Sequence, residues 1–189
     1  KIKEILPIEQ NITLLIIGGS QGAKLFDTEL KNAIITLSKK YKLKIFHQTS
    51  ISNFKDLRQF YIKNNIHNQL FDFDKKIFEF ISKANLCITR GGASTLSELI
   101  FLDIPSLVIP YPAAIDDHQY QNALFYKNKN CCWIMRQDRL KENILGDNLI
   151  NIVEKKDDYV AKKKSMQNFS YKNTWNNINQ KLINIINEN

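Results

Sequence analysis

Three short segments combine the residue types that hold an anion or a sugar. The first is Gly18-Gly19-Ser20-Gln21-Gly22-Ala23. Glycines let backbone N–H groups come close to a phosphate, and a helix N-terminus behind them favours negative charge. A tight turn without a ligand would use the same residues. The second is Thr89-Arg90-Gly91-Gly92-Ala93-Ser94-Thr95-Leu96-Ser97-Glu98. It offers backbone amides, hydroxyls, a helix dipole and one guanidinium, the parts of a diphosphate seat. Glu98, one turn further, can accept hydrogen bonds from both hydroxyls of a ribose. The structural alternative is that Ser94 caps the helix and Glu98 supports the cap. The third is Pro110-Tyr111-Pro112-Ala113-Ala114-Ile115-Asp116-Asp117-His118-Gln119. Its polar end can bind sugar hydroxyls, and Asp116 or Asp117 is equally an ordinary helix cap.

The same spacings exclude several chemistries. The first segment is not G-x-G-x-x-G, and the following strand ends in Phe46-His47-Gln48, without the acidic residue that a dinucleotide ribose usually takes. Gly22-Ala23-Lys24-Leu25 lacks the ending of a P-loop. His47, His67 and His118 lie near no nucleophile elbow. Asp116-Asp117-His118 supplies too few convergent ligands for a metal site, and no metal or cofactor is expected.

The elements that must carry these segments alternate. Ile12–Ile17 is a short apolar run that reads as a buried parallel strand, and Leu43–His47, a part of Gln69–Phe73, Leu86–Thr89, Ser106–Ile109 and Cys131–Met135 read as five further strands. Helical periodicity falls over Phe26–Lys40, Phe54–Asn64, the segment from Asp74 through Ser82, Ser94–Leu102, Gln119–Lys129, Leu140–Glu154 and Tyr171–Ile186. Asp74 is placed as a helix cap. Alternation of this kind predicts a doubly wound α/β fold with a parallel sheet. In such a sheet ligands bind beyond the carboxyl ends of the strands, where all three segments fall.

The 189 residues suit one domain, which typically holds about 100–200. The composition, 43% hydrophobic and 11% aromatic, supports a packed core and argues against disorder. No apolar run nears the ~20 residues of a membrane span, and no signal peptide is expected from Lys1 to Pro7. Cys87, Cys131 and Cys132 read as small buried hydrophobes. The net charge of +8 is spread over scattered lysines, with clusters such as Lys162-Lys163-Lys164. These are read mainly as a solvated surface, with attraction to an anionic membrane surface or an anionic substrate as the alternative. No RNA-type aromatic motif is present, and no nucleic-acid partner is expected.

At the three segments, extended through Asp116-Asp117-His118-Gln119-Tyr120-Gln121-Asn122-Ala123, the sequence resembles the MurG family of bacterial N-acetylglucosaminyltransferases. Order and spacing match that family's C-terminal domain over nearly the whole chain. The resemblance implies the Rossmann-like C-terminal half of a GT-B glycosyltransferase, with residues 1–189 as one donor-binding domain. Residues 1–11 would end a linker, and residues 171–189 would form a terminal helix packing toward an N-terminal domain that this chain lacks. The implied reaction is inverting transfer of N-acetylglucosamine from UDP-N-acetylglucosamine to the undecaprenyl-pyrophosphoryl-muramyl-pentapeptide lipid of peptidoglycan synthesis. It would take place at the inner face of the bacterial plasma membrane, by a cytoplasmic, peripheral enzyme.

By the same likeness, Gly19 and Ser20 lie near the phosphates, and Arg90 and Gly92 bind the diphosphate, helped by Thr95, with Arg90 stabilising the leaving group. Glu98 holds the ribose, Ala93 and Ser94 line the sugar pocket, His118 and Gln119 meet sugar hydroxyls, and the backbone near Phe73 and Asp74 reads the uracil. The general base is expected in the absent domain, leaving the isolated chain inactive. Rival readings are another UDP-sugar GT-B enzyme, a split transferase subunit and a UDP-N-acetylglucosamine 2-epimerase-like enzyme.

Overall fold

The computed structural model describes residues 5–72, 77–142 and 144–172. Six strands form one parallel sheet: β1 (Asn11–Ile17), β2 (Lys42–Gln48), β3 (His67–Phe71), β4 (Leu86–Thr89), β5 (Ser106–Val108) and β6 (Cys132–Ile134). Their spatial order is β3-β2-β1-β4-β5-β6, every neighbouring pair parallel. The doubly wound α/β expectation is met.

Burial on both faces explains the continuous apolar runs. Ile12, Leu14 and Ile16 of β1 face one cluster, together with Leu43 and Ile45 of β2. Their alternates Leu15, Ile17 and Phe46 face another. Side chains of a strand alternate between faces, so a strand covered on both sides, such as β1, carries consecutive apolar residues.

The first face carries α1 (Gly19–Glu29), α2 (Lys31–Ser38), α3 (Phe54–Lys63) and α7 (Leu145–Glu154), which contribute Phe26, Ile34, Leu57 and Leu149. The opposite face carries α4 (Ile77–Lys83), α5 (Ala93–Phe101) and α6 (His118–Asn128), which contribute Ile81, Leu99, Leu96 and Ala123. The last helix, α8 (Lys156–Lys172), packs on α5, placing Met166 with Ile100 and Cys131. Cys87, Cys131 and Cys132 are buried free thiols, as read from the sequence. Among the described residues no helix is long and apolar enough to cross a membrane.

Four expectations are corrected. The helix expected over Phe26–Lys40 starts at Gly19 and divides at the fully buried Leu30. The glycine-rich segment is therefore helix α1's first turn rather than a loop, since glycine is as compatible with a helix start as with a turn. The third strand, expected within Gln69–Phe73, begins earlier, at His67. The segment expected as one helix over Leu140–Glu154 is a 3-10 turn over Gln137–Glu142 followed by α7.

Helix α8 was not expected, because its sequence is polar around most of its circumference. Its anchor is Lys162, read from the sequence as solvated surface and in fact only 5% exposed. The Lys162 ammonium bonds Asn130 Oδ1 at 2.9 Å and Asp158 Oδ1 at 3.2 Å, and lies 4.7 Å from the centre of the Trp133 ring. Asp158 also accepts the Trp133 indole N–H at 2.8 Å. The buried charge is thereby paired, hydrogen-bonded and covered by an aromatic face.

Helices α2 and α7 meet closely on the first face, at Gly146. A Cβ there would lie 2.8 Å from Thr36 Cβ. Gly146→Ala should overpack this contact and lower stability by about 1–3 kcal/mol, read as a reduced midpoint in denaturant at unchanged slope. An unchanged midpoint would show that α2 and α7 separate freely.

Candidate functional site

The chain leaves β1 and β4, which are hydrogen-bonded neighbours, toward opposite faces of the sheet. Ligands of open α/β sheets sit in the crevice that such a reversal creates. The first segment follows β1 and the second follows β4, so they border this crevice, and the third follows β5 beside them. Ile17 pairs with Thr89, Arg90 N–H donates to Ile17 O at 3.3 Å, and Ile109 N–H donates to Thr89 O at 2.8 Å. All three segments therefore leave the sheet at one level.

Gly19 opens α1 at φ +63°, a left-handed conformation that glycine adopts without penalty. Its N–H donates to Gln48 Oε1 at 3.2 Å. Ser20 follows in the first turn. Phe73 and Asp74 lie outside the described residues, as does nearly all of the expected terminal helix.

The second segment is fixed by the third. Gln119 Oε1 accepts the N–H of Gly91 at 3.3 Å and that of Tyr111 at 3.0 Å, while Asn122 Nδ2 donates to Gly91 O at 3.0 Å. The two backbones touch: a Cβ on Gly91 would lie 2.1 Å from the Gln119 carbonyl oxygen. Gln119, expected at a sugar hydroxyl, thus has its acceptor oxygen committed to joining these segments.

Gly92 is the N-cap of α5, with extended backbone and no side-chain cap. Ser94 is not the cap that its sequence position allowed. It sits exposed in the first turn beside exposed Ala93 and half-buried Thr95. The first N–H groups of a helix lack intrahelical partners, so this turn presents donors and the positive end of the α5 dipole. Glu98 stands half-buried one turn on.

Arg90 turns inward and is 6% exposed. Its Nη1 donates to Ile109 O at 2.9 Å and to Pro110 O at 3.4 Å. The guanidinium lies 4.6 Å from the Phe26 ring centre and 5.6 Å from that of Tyr111. Burial lowers its pKa to about 10, which leaves it charged at neutral pH. Its Nε, also buried, has no partner among the described residues. Arg90 therefore binds α1, the end of β5 and the third segment into one body.

Asp116 and Asp117 both have φ +52°, and Asp117, the N-cap of α6, makes no side-chain cap bond. The ordinary capping role is not seen. Two successive left-handed aspartates turn the chain sharply and present exposed His118 at the start of α6. Asp116, Asp117 and His118 bring no third ligand class together: among the described residues no group of three or more His, Cys, Asp or Glu side chains can hold a metal.

A polar cluster behind α1 was not read from the sequence as part of the site. Asp27 Oδ2 accepts Thr49 Oγ1–H at 2.6 Å and Asn53 Nδ2–H at 2.7 Å. His47 Nε2 lies 3.2 Å from Asp27 Oδ1, and His47 Nδ1 lies 2.7 Å from Tyr61 Oη. Neither His47 Nε2 nor Asp27 Oδ1 has another partner among the described residues. Burial pushes the His47 pKa below its ordinary 6.5, against the pull of Asp27. Burial alone would raise the Asp27 pKa, but hydrogen bonds from His47, Thr49 and Asn53 bring it below 3.8. Neutral His47 beside ionised Asp27 fits these directions, with Tyr61 donating to Nδ1. The sequence carried only a faint signal, a histidine near the end of the second strand.

Two results should follow. Gly91→Ala should force the second and third segments apart, costing at least about 2 kcal/mol of stability and abolishing ligand binding at this site, as read by thermal unfolding and titration. The second concerns pH. A histidine with a depressed folded pKa contributes stability that is complete above its unfolded value and declines as pH falls through 6.5 toward the folded value. Asp27 acts in the same direction only at lower pH. The melting temperature should fall from about pH 7 to about pH 5, with a shallower slope in His47→Gln. A rising melting temperature over that range would mean that His47 is protonated in the fold.

The pattern of the glycosyltransferase family 28 C-terminal domain matches residues 13–178. A Pelagibacter ubique (strain HTCC1062) protein named UDP-N-acetylglucosamine--N-acetylmuramyl-(pentapeptide) pyrophosphoryl-undecaprenol N-acetylglucosamine transferase is 52% identical over 178 residues, covering 94% of this chain and 50% of the relative. A Sulfurovum sp. (strain NBC37-1) protein of the same name is 37% identical over 157 residues, covering 78% of this chain and 46% of the relative. The crystal structure of Acinetobacter baumannii MurG superposes with a TM-score of 0.73 at 26% identity, covering 85% of this chain and 46% of that one. The chain thus spans about half the length of these relatives. The expected Rossmann-like C-terminal half of a GT-B glycosyltransferase is borne out, and the chain belongs to the glycosyltransferase family 28 C-terminal domain family.

Proposed function

We propose that this chain is the donor-binding half of an inverting N-acetylglucosaminyltransferase that takes UDP-N-acetylglucosamine and glycosylates the undecaprenyl-pyrophosphoryl-muramyl-pentapeptide lipid. The observation that carries the reading is the uncapped first turn of α5 at the β1–β4 reversal, with Glu98 one turn behind it. The N–H groups of that turn and the α5 dipole suit a diphosphate, and the half-buried carboxylate suits a ribose diol. Family membership supports the same reading.

In the proposed reaction the acceptor hydroxyl displaces UDP from the anomeric carbon, and negative charge grows on the departing diphosphate. Preorganised donors aimed at that charge are the principal contribution of a half of this kind. Gly92, Ala93, Ser94 and Thr95 are its proposed seat, with Gly19 and Ser20 across the crevice. Arg90 contributes a buried positive charge behind the seat and keeps the second and third segments together. His118, exposed at the start of α6, and the amide nitrogen of Gln119 are the proposed sugar contacts. Phe73 and Asp74 remain the proposed uracil contacts. The general base and the lipid acceptor site are assigned to the other half of the enzyme, which would work peripherally at the inner face of the plasma membrane. The arrangement invokes no metal, since helix dipole and guanidinium supply the positive potential.

Calorimetric titration with UDP-N-acetylglucosamine, UDP-N-acetylgalactosamine and UDP tests this. Saturable binding that prefers the N-acetylglucosamine form is expected, and Glu98→Ala should weaken it about tenfold or more, the loss of charge-assisted bonds to a diol. Equal affinity for all three ligands would withdraw the sugar contacts. Full affinity in Glu98→Ala would withdraw the ribose assignment.

A further inference from the structure

Gln48 occupies the strand end at which a dinucleotide site would carry an acidic residue. It is 8% exposed, and its Oε1 accepts the N–H of Gly19, the left-handed residue that opens α1. It stands between two other residues that reach the same helix. On one side His47 lies 3.2 Å from Asp27, and on the other Thr49 donates to Asp27 at 2.6 Å. Asn53, from the 3-10 turn Ile51–Asn53, adds a third hold on Asp27 at 2.7 Å. Three consecutive residues at the end of β2 therefore fix α1 at its start and again two turns along. Pairing of Gln48 with Phe71, and the bond from Thr49 N–H to Phe71 O at 2.8 Å, hold that end of β2 in the sheet.

From this geometry we infer that Gln48 is a positioning residue for the diphosphate: it fixes the Gly19 peptide, and so aims the remaining N–H groups of the first turn of α1 across the crevice. The inference rests on the donor-site reading above.

The chemistry favours an amide here. Gly19 has open space where a Cβ would stand, so its glycine is required by its φ, and a conformation so free needs an external hold. A carboxylate in the same place would accept the N–H equally well but would set a negative charge beside an anion. A neutral acceptor fixes the peptide without that repulsion. The first N–H groups of a helix point along its axis. Rotation of the Gly19 peptide would therefore redirect the donors behind it, without unfolding α1.

The test compares UDP with uridine, which shares the base and ribose but lacks the diphosphate, in the wild-type chain and in Gln48→Met. Methionine keeps the length and removes the acceptor. The wild type should bind UDP more tightly than uridine. In Gln48→Met, UDP affinity should fall about fivefold, the worth of one hydrogen bond, while uridine affinity changes less than about twofold. The Gly19 amide resonance should shift and exchange faster with solvent, and the melting temperature should stay close to wild type. A parallel loss of both ligands, or no loss of either, would overturn the positioning role while leaving the donor site standing. A wild-type chain that binds neither ligand would overturn both the donor-site reading and this inference.

Discussion

The hydrogen-bonded pairing of β1 with β4 is the constraint on which the rest depends. Ile17 lies opposite Thr89, and from that level the chain departs toward opposite faces. The reversal opens a crevice that no helix can close, because each crossover covers its own side of the sheet. It also places the two glycine-rich segments, some seventy residues apart in sequence, at adjacent strand ends. Every property of the site, from the exposed start of α5 to the held start of α1, follows from this adjacency.

The backbone donors of the two glycine segments are divided between holding and presenting. The N–H groups of Gly19 and Gly91 are both taken by side-chain amide oxygens, from Gln48 and Gln119. The donors left to meet an anion are those further into each helix. Neutral acceptors at both positions stabilise the segments without opposing an anionic ligand. Arg90 completes the division: its guanidinium is spent on the carbonyls of Ile109 and Pro110 and on two aromatic faces, yet its charge remains close to the crevice. Burial in that setting lowers the pKa without discharging the group.

The sheet was legible because buried strands leave short, mostly apolar runs, clearest in β1 and β4, and each of the six expected segments became a strand within a few residues. The helices were less so. The first turn of α1 is glycine-rich and was read as loop, since glycine permits helix and turn alike. Helix α8 has no apolar stripe. Its place is decided by Lys162, whose paired burial against Asp158, Asn130 and Trp133 is a property of three elements brought together. A lysine in a basic cluster gives no local sign of that outcome.

What the sequence determined by itself is chemistry and local order: an α/β alternation, three polar segments at strand ends, and a family pattern in their residues. These are local because glycine freedom, strand periodicity and helix-start dipoles depend on a few neighbouring residues. What only the tertiary structure decided is which groups are free. Strand order set β1 beside β4. Packing turned Arg90 inward, gave the oxygen of Gln119 to Gly91 and Tyr111, and brought Gln48 under Gly19. A buried polar group must find a partner, and which partner it finds depends on residues distant in the chain. Sequence spacing names the donors and acceptors, and the fold settles which of them remain for a ligand.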